Sequence, residues 1–296
     1  ARVRHVEGVG INDLAPTDIA GTLAHCEGAD AIVLCLGEAS NMSGEAASRA
    51  YPEIPAGQRQ LAEAVLDLAR ERGMPVIAVL FSGRPLVIPW LAERADAIVA
   101  AWFLGSEAGN ALADVLTGQV SPGGRTPMTW PRAVGQIPLY FGMRPSGRPV
   151  DPKDYYTSKY LDVPNEPLYH FGHGLTYGRF RYGNLRVVPE HVTRDDHIEV
   201  EVDLINEGRA AAEETVFLFT RDRVASVTRP LLELRAFAKE RVAPGETRRV
   251  KLRVAARELM FPGPDMRPVY EPGEIEVFVG PSADRTLLLG SAVQLI

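Results

Sequence analysis

Hydrophobic and polar positions change rhythm about halfway along the chain. In the first half, apolar residues come in short unbroken runs. Residues 31–36 (Ala-Ile-Val-Leu-Cys-Leu) and 75–81 (Pro-Val-Ile-Ala-Val-Leu-Phe) read as strands buried on both faces, as in a parallel sheet. Residues 96–101 read as a third. Between the first two, Leu61, Ala64, Val65, Leu68 and Ala69 recur at helical spacing, which predicts a helix over 56–72 that stops at Gly73. Shorter helices are expected around 87–94 and over 107–117, the latter closed by Gly118. Residues 2–6 alternate as a strand would. This strand–helix alternation implies an open, mostly parallel α/β sandwich with right-handed crossovers.

The second half alternates strictly instead. Residues 198–204 (Ile-Glu-Val-Glu-Val-Asp-Leu) and 250–254 (Val-Lys-Leu-Arg-Val) do so fully, and 275–279 nearly so. Turns are marked at Asn206-Glu207-Gly208, Pro244-Gly245 and Pro272-Gly273. Half-buried strands without intervening helices predict an antiparallel β sandwich of about 100 residues, the size of a fibronectin type III module.

The expected division is an α/β domain over 1–139, a connecting strap over 140–182 and the β sandwich over 183–296. The strap is rich in Pro and Gly, yet it holds seven of the nine tyrosines: Tyr140, Tyr155, Tyr156, Tyr160, Tyr169, Tyr177 and Tyr182. Disordered linkers are poor in aromatics, so the strap is expected to be ordered and packed through these rings against both flanking domains.

Composition narrows the function classes. Apolar residues make up 46% and charged residues 24%, and the net charge of −6 is spread along the chain, which suits a globular protein. No Lys/Arg-rich run offers a nucleic-acid footprint, and no apolar stretch reaches the roughly 20 residues of a membrane-spanning helix. Cys35 is expected to be a small buried hydrophobe, and a Cys26–Cys35 disulfide is disfavoured in a chain of this size. The chain opens on Ala1 without a visible leader, so a natural start upstream is expected.

In an open parallel sheet, ligands bind beyond the carboxyl ends of the strands. Three loops leave those ends, at 37–55, 82–86 and 102–106. The first is about 18 residues long against the usual 2–6 for such a connection, and it carries Glu38, Glu45 and Arg49. A carboxylate in a Gly/Ser-rich loop at this edge can act as a general acid or base. It can equally be a surface glutamate paired with Arg49. Glu38 directly follows the strand and reads as a residue that orients the loop, with Arg49 holding the loop through a carboxylate. Trp102, at a strand end, reads as domain-interface packing. Glu107 sits where a helix dipole favours a carboxylate. His170 and His173 lack further His or Cys nearby and read as packing residues, so no metal or cofactor is expected. Gly83-Arg84-Pro85 reads as a turn.

Ser43-Gly44-Glu45-Ala46-Ala47-Ser48-Arg49 resembles the acid/base loop of family 3 glycoside hydrolases, especially bacterial periplasmic-type β-glucosidases. Further segments match in order, among them Ser82-Gly83-Arg84-Pro85, the run from Trp102 to Leu116, the run from Ser121 to Pro131, Tyr156-Thr157-Ser158-Lys159-Tyr160 and the run from Leu168 to Tyr177. Arg229-Pro230-Leu231-Leu232-Glu233-Leu234 and Pro244-Gly245-Glu246-Thr247 fit the family's fibronectin-like domain.

The resemblance implies a retaining glycosidase acting on a β-glucoside or oligosaccharide, in which an Asp attacks the anomeric carbon and a Glu protonates the leaving oxygen, the two carboxyl groups lying about 5–5.5 Å apart. It places the Asp in an N-terminal barrel upstream of this chain, together with the first strand–helix unit of the sandwich. Glu45 matches the acid/base position, where burial against substrate and barrel would raise its pKa. Met42 and Ser43, by proximity, are candidate substrate-binding residues on the aglycone side. A periplasmic or secreted location follows from the same likeness. Two other readings stay open: a non-catalytic sugar-binding or proteolytic fragment, and a flavodoxin-like nucleotide binder, although no Gly-rich phosphate turn follows residues 31–36. A sheet lacking its neighbouring strand would leave an aggregation edge, so self-association into a homo-oligomer is expected.

Overall fold

The computed structural model describes residues 2–151 and 153–296. The chain forms two compact units, one made of residues up to Leu112 together with Trp130–Ile137, the other of Ala113–Thr129 and Pro138–Ile296.

The first unit is built on a three-stranded parallel sheet: β1 (Ile32–Gly37), β2 (Val76–Phe81) and β3 (Ala97–Ala100), in the order β1-β2-β3. A helix α1 (Ile19–Cys26) precedes β1, and α2 (Ala56–Arg72) connects β1 to β2. Helix α2 presents Leu61, Ala62, Val65, Leu66 and Ala69 to the core and ends in the left-handed Gly73. The one-turn helix α3 (Pro89–Ala92) leads to β3, and α4 (Ala108–Leu116) follows it.

Three expectations need correction here. Residues 2–6 form no strand. Helix α1 is unforeseen, although Asp18 caps it by accepting the Gly21 amide at 2.8 Å, the ordinary N-terminal signal. Strand β1 is buried on one face only: Ile32, Leu34 and Leu36 are buried, whereas Val33 is 48% exposed and Cys35 is exposed. Cys35 is therefore no core residue. An apolar run records what the strand's faces can bury, and α2 covers only one face of this edge strand. Both cysteines are free thiols.

The second unit is a β sandwich, antiparallel except for one short parallel pair at a sheet edge. One sheet joins β4 (Phe180–Val188), β6 (His197–Asn206) and β9 (Thr247–Ala255) in the order β4-β6-β9. The other has the order β5-β13-β12-β7-β8, from β5 (His191–Val192), β7 (Ala212–Asp222), β8 (Glu233–Val242), β12 (Gly273–Gly280) and β13 (Leu289–Leu295). A two-stranded ribbon, β10 (Phe261–Pro262) with β11 (Pro268–Val269), stands apart. The alternating positions named above supply the core: Ile198, Val200, Val202 and Leu204 of β6 meet Val250, Leu252 and Val254 of β9 and Ile275, Val277 and Val279 of β12. The Asn206-Glu207-Gly208 turn is locked by the fully buried Asn206 side chain, which donates to Ala210 O at 2.9 Å and Val242 O at 3.0 Å and accepts from Gly208 N at 2.9 Å.

The strap is ordered by local polar bonds, such as Tyr156 N to Asp154 Oδ1 at 2.9 Å and Tyr160 N to Asn165 Oδ1 at 3.0 Å. Most of its tyrosines do not do the packing; Tyr182, against the sandwich core, and Tyr169, stacked on His173, are the exceptions. Tyr140, Tyr155, Tyr156, Tyr160 and Tyr177 are exposed. Phe141 and Phe171 instead pack tilted against each other, ring centres 4.6 Å apart, and join a cluster with Phe217 and Phe219 of β7. Beneath the strap, Arg125 pairs with Glu214 of β7 at 2.9 Å, their side chains 6% and 5% exposed, and Tyr182 donates to the same carboxylate at 3.1 Å.

Candidate active site

The three loops at the carboxyl ends of β1, β2 and β3 converge because their strands are adjacent and parallel. At the centre stands Glu38, the residue immediately after β1, whose side chain is fully buried. A buried carboxylate needs partners, and this one has three. Arg49 Nη1 donates to it at 2.8 Å, Ser82 Oγ donates at 2.7 Å, and Arg84 Nε lies 3.3 Å away. Burial by itself would raise the Glu38 pKa. The bonds from Arg49 and Ser82 and the charges of Arg84 and Arg49 outweigh it and hold the carboxyl below its ordinary value. Glu38 thus stays ionised to lower pH than a free glutamate, and its contribution to loop stability is lost only as pH falls through that depressed pKa.

Arg84 also reaches into the long loop. Its Nη2 donates to the carbonyl of Met42 and, at 2.8 Å, to the carbonyl of Ala47. Between those two carbonyls the backbone turns sharply: Gly44 has φ 120° and Ala46 φ 58°, and Ala47 N donates to Gly44 O at 3.3 Å. The φ of Gly44 is one that side-chain-bearing residues rarely adopt. Glu45 stands at the apex, exposed, with no hydrogen bond or ion pair to any of the described residues. The alternative of a Glu45–Arg49 surface pair is therefore not what forms; Arg49 is committed to Glu38. A free carboxylate at the tip of an internally braced loop is available to an incoming group.

Met42 and Ser43 are both half-buried. Ser43 packs on Gly83, where an added Cβ would collide with Ser43 Oγ and lie 3.1 Å from Phe103 Cε2. The loop after β2 thus needs a glycine so that the loops after β1 and β3 can close over it. Trp102, in a left-handed conformation at φ 55°, packs on Trp130 with ring centres 5.9 Å apart, and Trp130 Nε1 donates to Leu86 O at 2.6 Å. Trp102 thus has its ring partner within this unit, whereas the sequence suggests packing at a domain interface.

Arg84 and Phe103 were not singled out by sequence reasoning. For Arg84 the signal was the match of Ser82-Gly83-Arg84-Pro85, which spacing alone reduces to a turn. Elsewhere, Glu107 accepts from Asn110 Nδ2 at 2.6 Å just before α4. His173 stacks on Tyr169 at 4.6 Å, and its pKa is lowered, first by burial and then by Arg125. Among the described residues no group of three His, Cys, Asp or Glu is placed to hold a metal ion, and no helix is long and apolar enough to cross a membrane.

The chain thus joins a parallel α/β layer to a fibronectin-like β sandwich. The chain belongs to glycosyl hydrolase family 3: residues 6–177 match the glycosyl hydrolase family 3 C-terminal domain and residues 214–283 a fibronectin type III-like domain. It is 38% identical over 259 residues to the periplasmic beta-glucosidase of Salmonella typhimurium, covering 87% of this chain and 33% of that protein. A beta-xylosidase of Formosa agariphila is 33% identical, with 95% of this chain and 38% of that protein covered. The crystal structure of a beta-glucosidase from Listeria innocua in complex with glucose superimposes with a TM-score of 0.91 at 36% identity, over 97% of this chain and 39% of that one. The chain therefore spans little more than a third of the length of these relatives.

Proposed function

We propose that this chain is the acid/base-bearing portion of a retaining β-glucosidase that releases terminal β-D-glucosyl residues. In this reading Glu45 donates a proton to the leaving oxygen and afterwards takes one from the attacking water. The Asp nucleophile stands in an N-terminal barrel of the same polypeptide. Met42 and Ser43 line the aglycone side. The domains divide at about residues 139 and 182, as the sequence reading placed them, and the enzyme works in the periplasm or outside the cell.

The observation that carries the reading is Glu45 itself. It is unpaired among the described residues and exposed, at the tip of a loop that is braced by Glu38 and Arg49 from its own ends and by Arg84 from the loop after β2. A glutamate kept for surface solubility would need no such support. The relatives' names favour glucosides, with xylosides as the neighbouring class. Without a second carboxylate at about 5–5.5 Å, covalent catalysis by a retaining route is not possible. This chain by itself is accordingly expected to be inactive.

The test compares hydrolysis of a chromogenic aryl β-glucoside by residues 1–296 and by a version extended upstream through the barrel. Turnover by the extended version alone is the expected result. Turnover by residues 1–296 alone would require a nucleophile within this chain and would overturn the assignment.

The same reading leaves one edge of the sheet open. Strand β1 pairs only with β2 among the described residues, and its own Val33 is exposed. Residues 1–296 are expected to self-associate through this edge. Multi-angle light scattering checks this, and a monomer across a hundredfold range of concentration, about 1 to 100 µM, rules it out.

A further inference from the structure

We propose that Arg84 is a positioning residue for the acid/base loop: one guanidinium, anchored on buried Glu38, grips the carbonyls of Met42 and Ala47 and so sets where the Glu45 carboxylate stands. This inference rests on the catalytic reading of Glu45 and adds the device that places it.

The geometry argues for positioning beyond simple cohesion. Met42 and Ala47 bracket Glu45, three residues before it and two after. Both carbonyls accept from the same nitrogen of Arg84. A rigid planar group bound at both ends of a short segment sets the distance between those ends. Two left-handed residues, Gly44 and Ala46, then force the intervening chain outward. The guanidinium is itself held in place. Its Nε faces Glu38 at 3.3 Å, the Arg84 backbone N–H donates to Ser82 Oγ at 3.1 Å, and that hydroxyl donates its single proton to Glu38 at 2.7 Å. Arg49 closes the set by donating to Glu38 from the far end of the loop. Glu38, Arg49 and Arg84 are thus all paired with one another or with the loop backbone. Lysine would keep the charge opposite Glu38, but its single nitrogen on a flexible stem cannot replace a planar group that holds Nη2 on the two carbonyls and Nε at Glu38 at the same time.

Arg84→Lys is the informative variant, read in two ways. In residues 1–296, hydrogen exchange is expected to accelerate about tenfold or more across 42–47 while α2 keeps its protection. Unchanged exchange in the loop, or equal loss of protection in α2, overturns the proposal. In the barrel-extended protein, kcat/KM for an alkyl β-glucoside, which needs the proton, is expected to fall about 10- to 100-fold, because small misplacement of a catalytic group has effects of that size. For 2,4-dinitrophenyl β-glucoside, whose leaving group needs no proton, the fall is expected to stay under about threefold. A residue that merely holds the domain together would depress both substrates alike, and that result, or no change in either, refutes positioning. If Arg84→Lys does not fold, Ser82→Ala removes one support of Glu38 and carries the same expectation at smaller size. Glu45→Gln is the control. Should it leave the alkyl glucoside unaffected, the acid assignment fails, and with it the role given to Arg84, whatever the exchange data show about the brace. Should it act as expected while Arg84→Lys shows no substrate split, only the positioning inference fails.

Discussion

Glu45→Gln in the barrel-extended protein is expected to lower kcat/KM for alkyl and disaccharide β-glucosides about 10²- to 10⁴-fold, the size of a lost general acid. The amide matches the carboxyl in shape but has no proton to give to the leaving oxygen. For 2,4-dinitrophenyl β-glucoside, kcat/KM reports formation of the glycosyl–enzyme bond and is expected to change little. Its kcat is expected to fall, because the same residue must serve as base when water attacks the intermediate. A small anionic nucleophile such as azide needs no base. It is expected to restore turnover and to leave as the β-glucosyl azide, with retention at the anomeric carbon. Unchanged kinetics on alkyl glucosides would remove Glu45 from the mechanism. Loss on both substrate types without azide rescue would indicate that the substitution has disturbed the fold.

The second large effect concerns stability. Arg125 and Glu214 form an ion pair with almost no solvent access, and Tyr182 donates to the same carboxylate. Burial raises the Glu214 pKa, and Arg125 and the hydrogen bonds oppose it. Burial, followed by the Glu214 charge, pushes the Tyr182 phenol far above its ordinary range. Arg125→Met removes the cation and leaves the carboxylate buried, which is expected to destabilise the second unit by about 3–5 kcal/mol. In a unit of this size that lowers Tm by roughly 10 °C. The sign of the pH dependence follows. Without Arg125 the folded-state pKa of Glu214 rises further above its unfolded value, so the folded variant takes up a proton and loses stability as pH rises through that pKa. The deficit is expected to be smaller at pH 5 than at pH 8, and Arg125→Met with Glu214→Leu is expected to recover much of it. Calorimetry of the single and double variants checks this. A deficit below about 1 kcal/mol, or one independent of pH, would contradict it.

The periodicities determined a good deal. Unbroken apolar runs located all three parallel strands, and helical spacing located α2 to the residue, because backbone hydrogen bonding and burial of one face leave little choice at those positions. Strict alternation located β6, β9 and β12 for the same reason. Motif likeness identified the family and pointed to the loop that carries Glu45. Local pattern could not say which partner each charged group takes. From spacing, Arg49 could serve Glu38 or Glu45, and Arg84 was one residue of a turn. Only the adjacency of β1 and β2 brings residues 38, 82 and 84 together, 44 and 46 positions apart in the chain. Pattern was also silent on cover. It read β1 as buried on both faces and the strap tyrosines as packed, whereas Val33 and Cys35 and five of those tyrosines face outward. A side chain's hydrophobicity states what it gains by burial. Whether anything lies against it is settled by the tertiary structure alone.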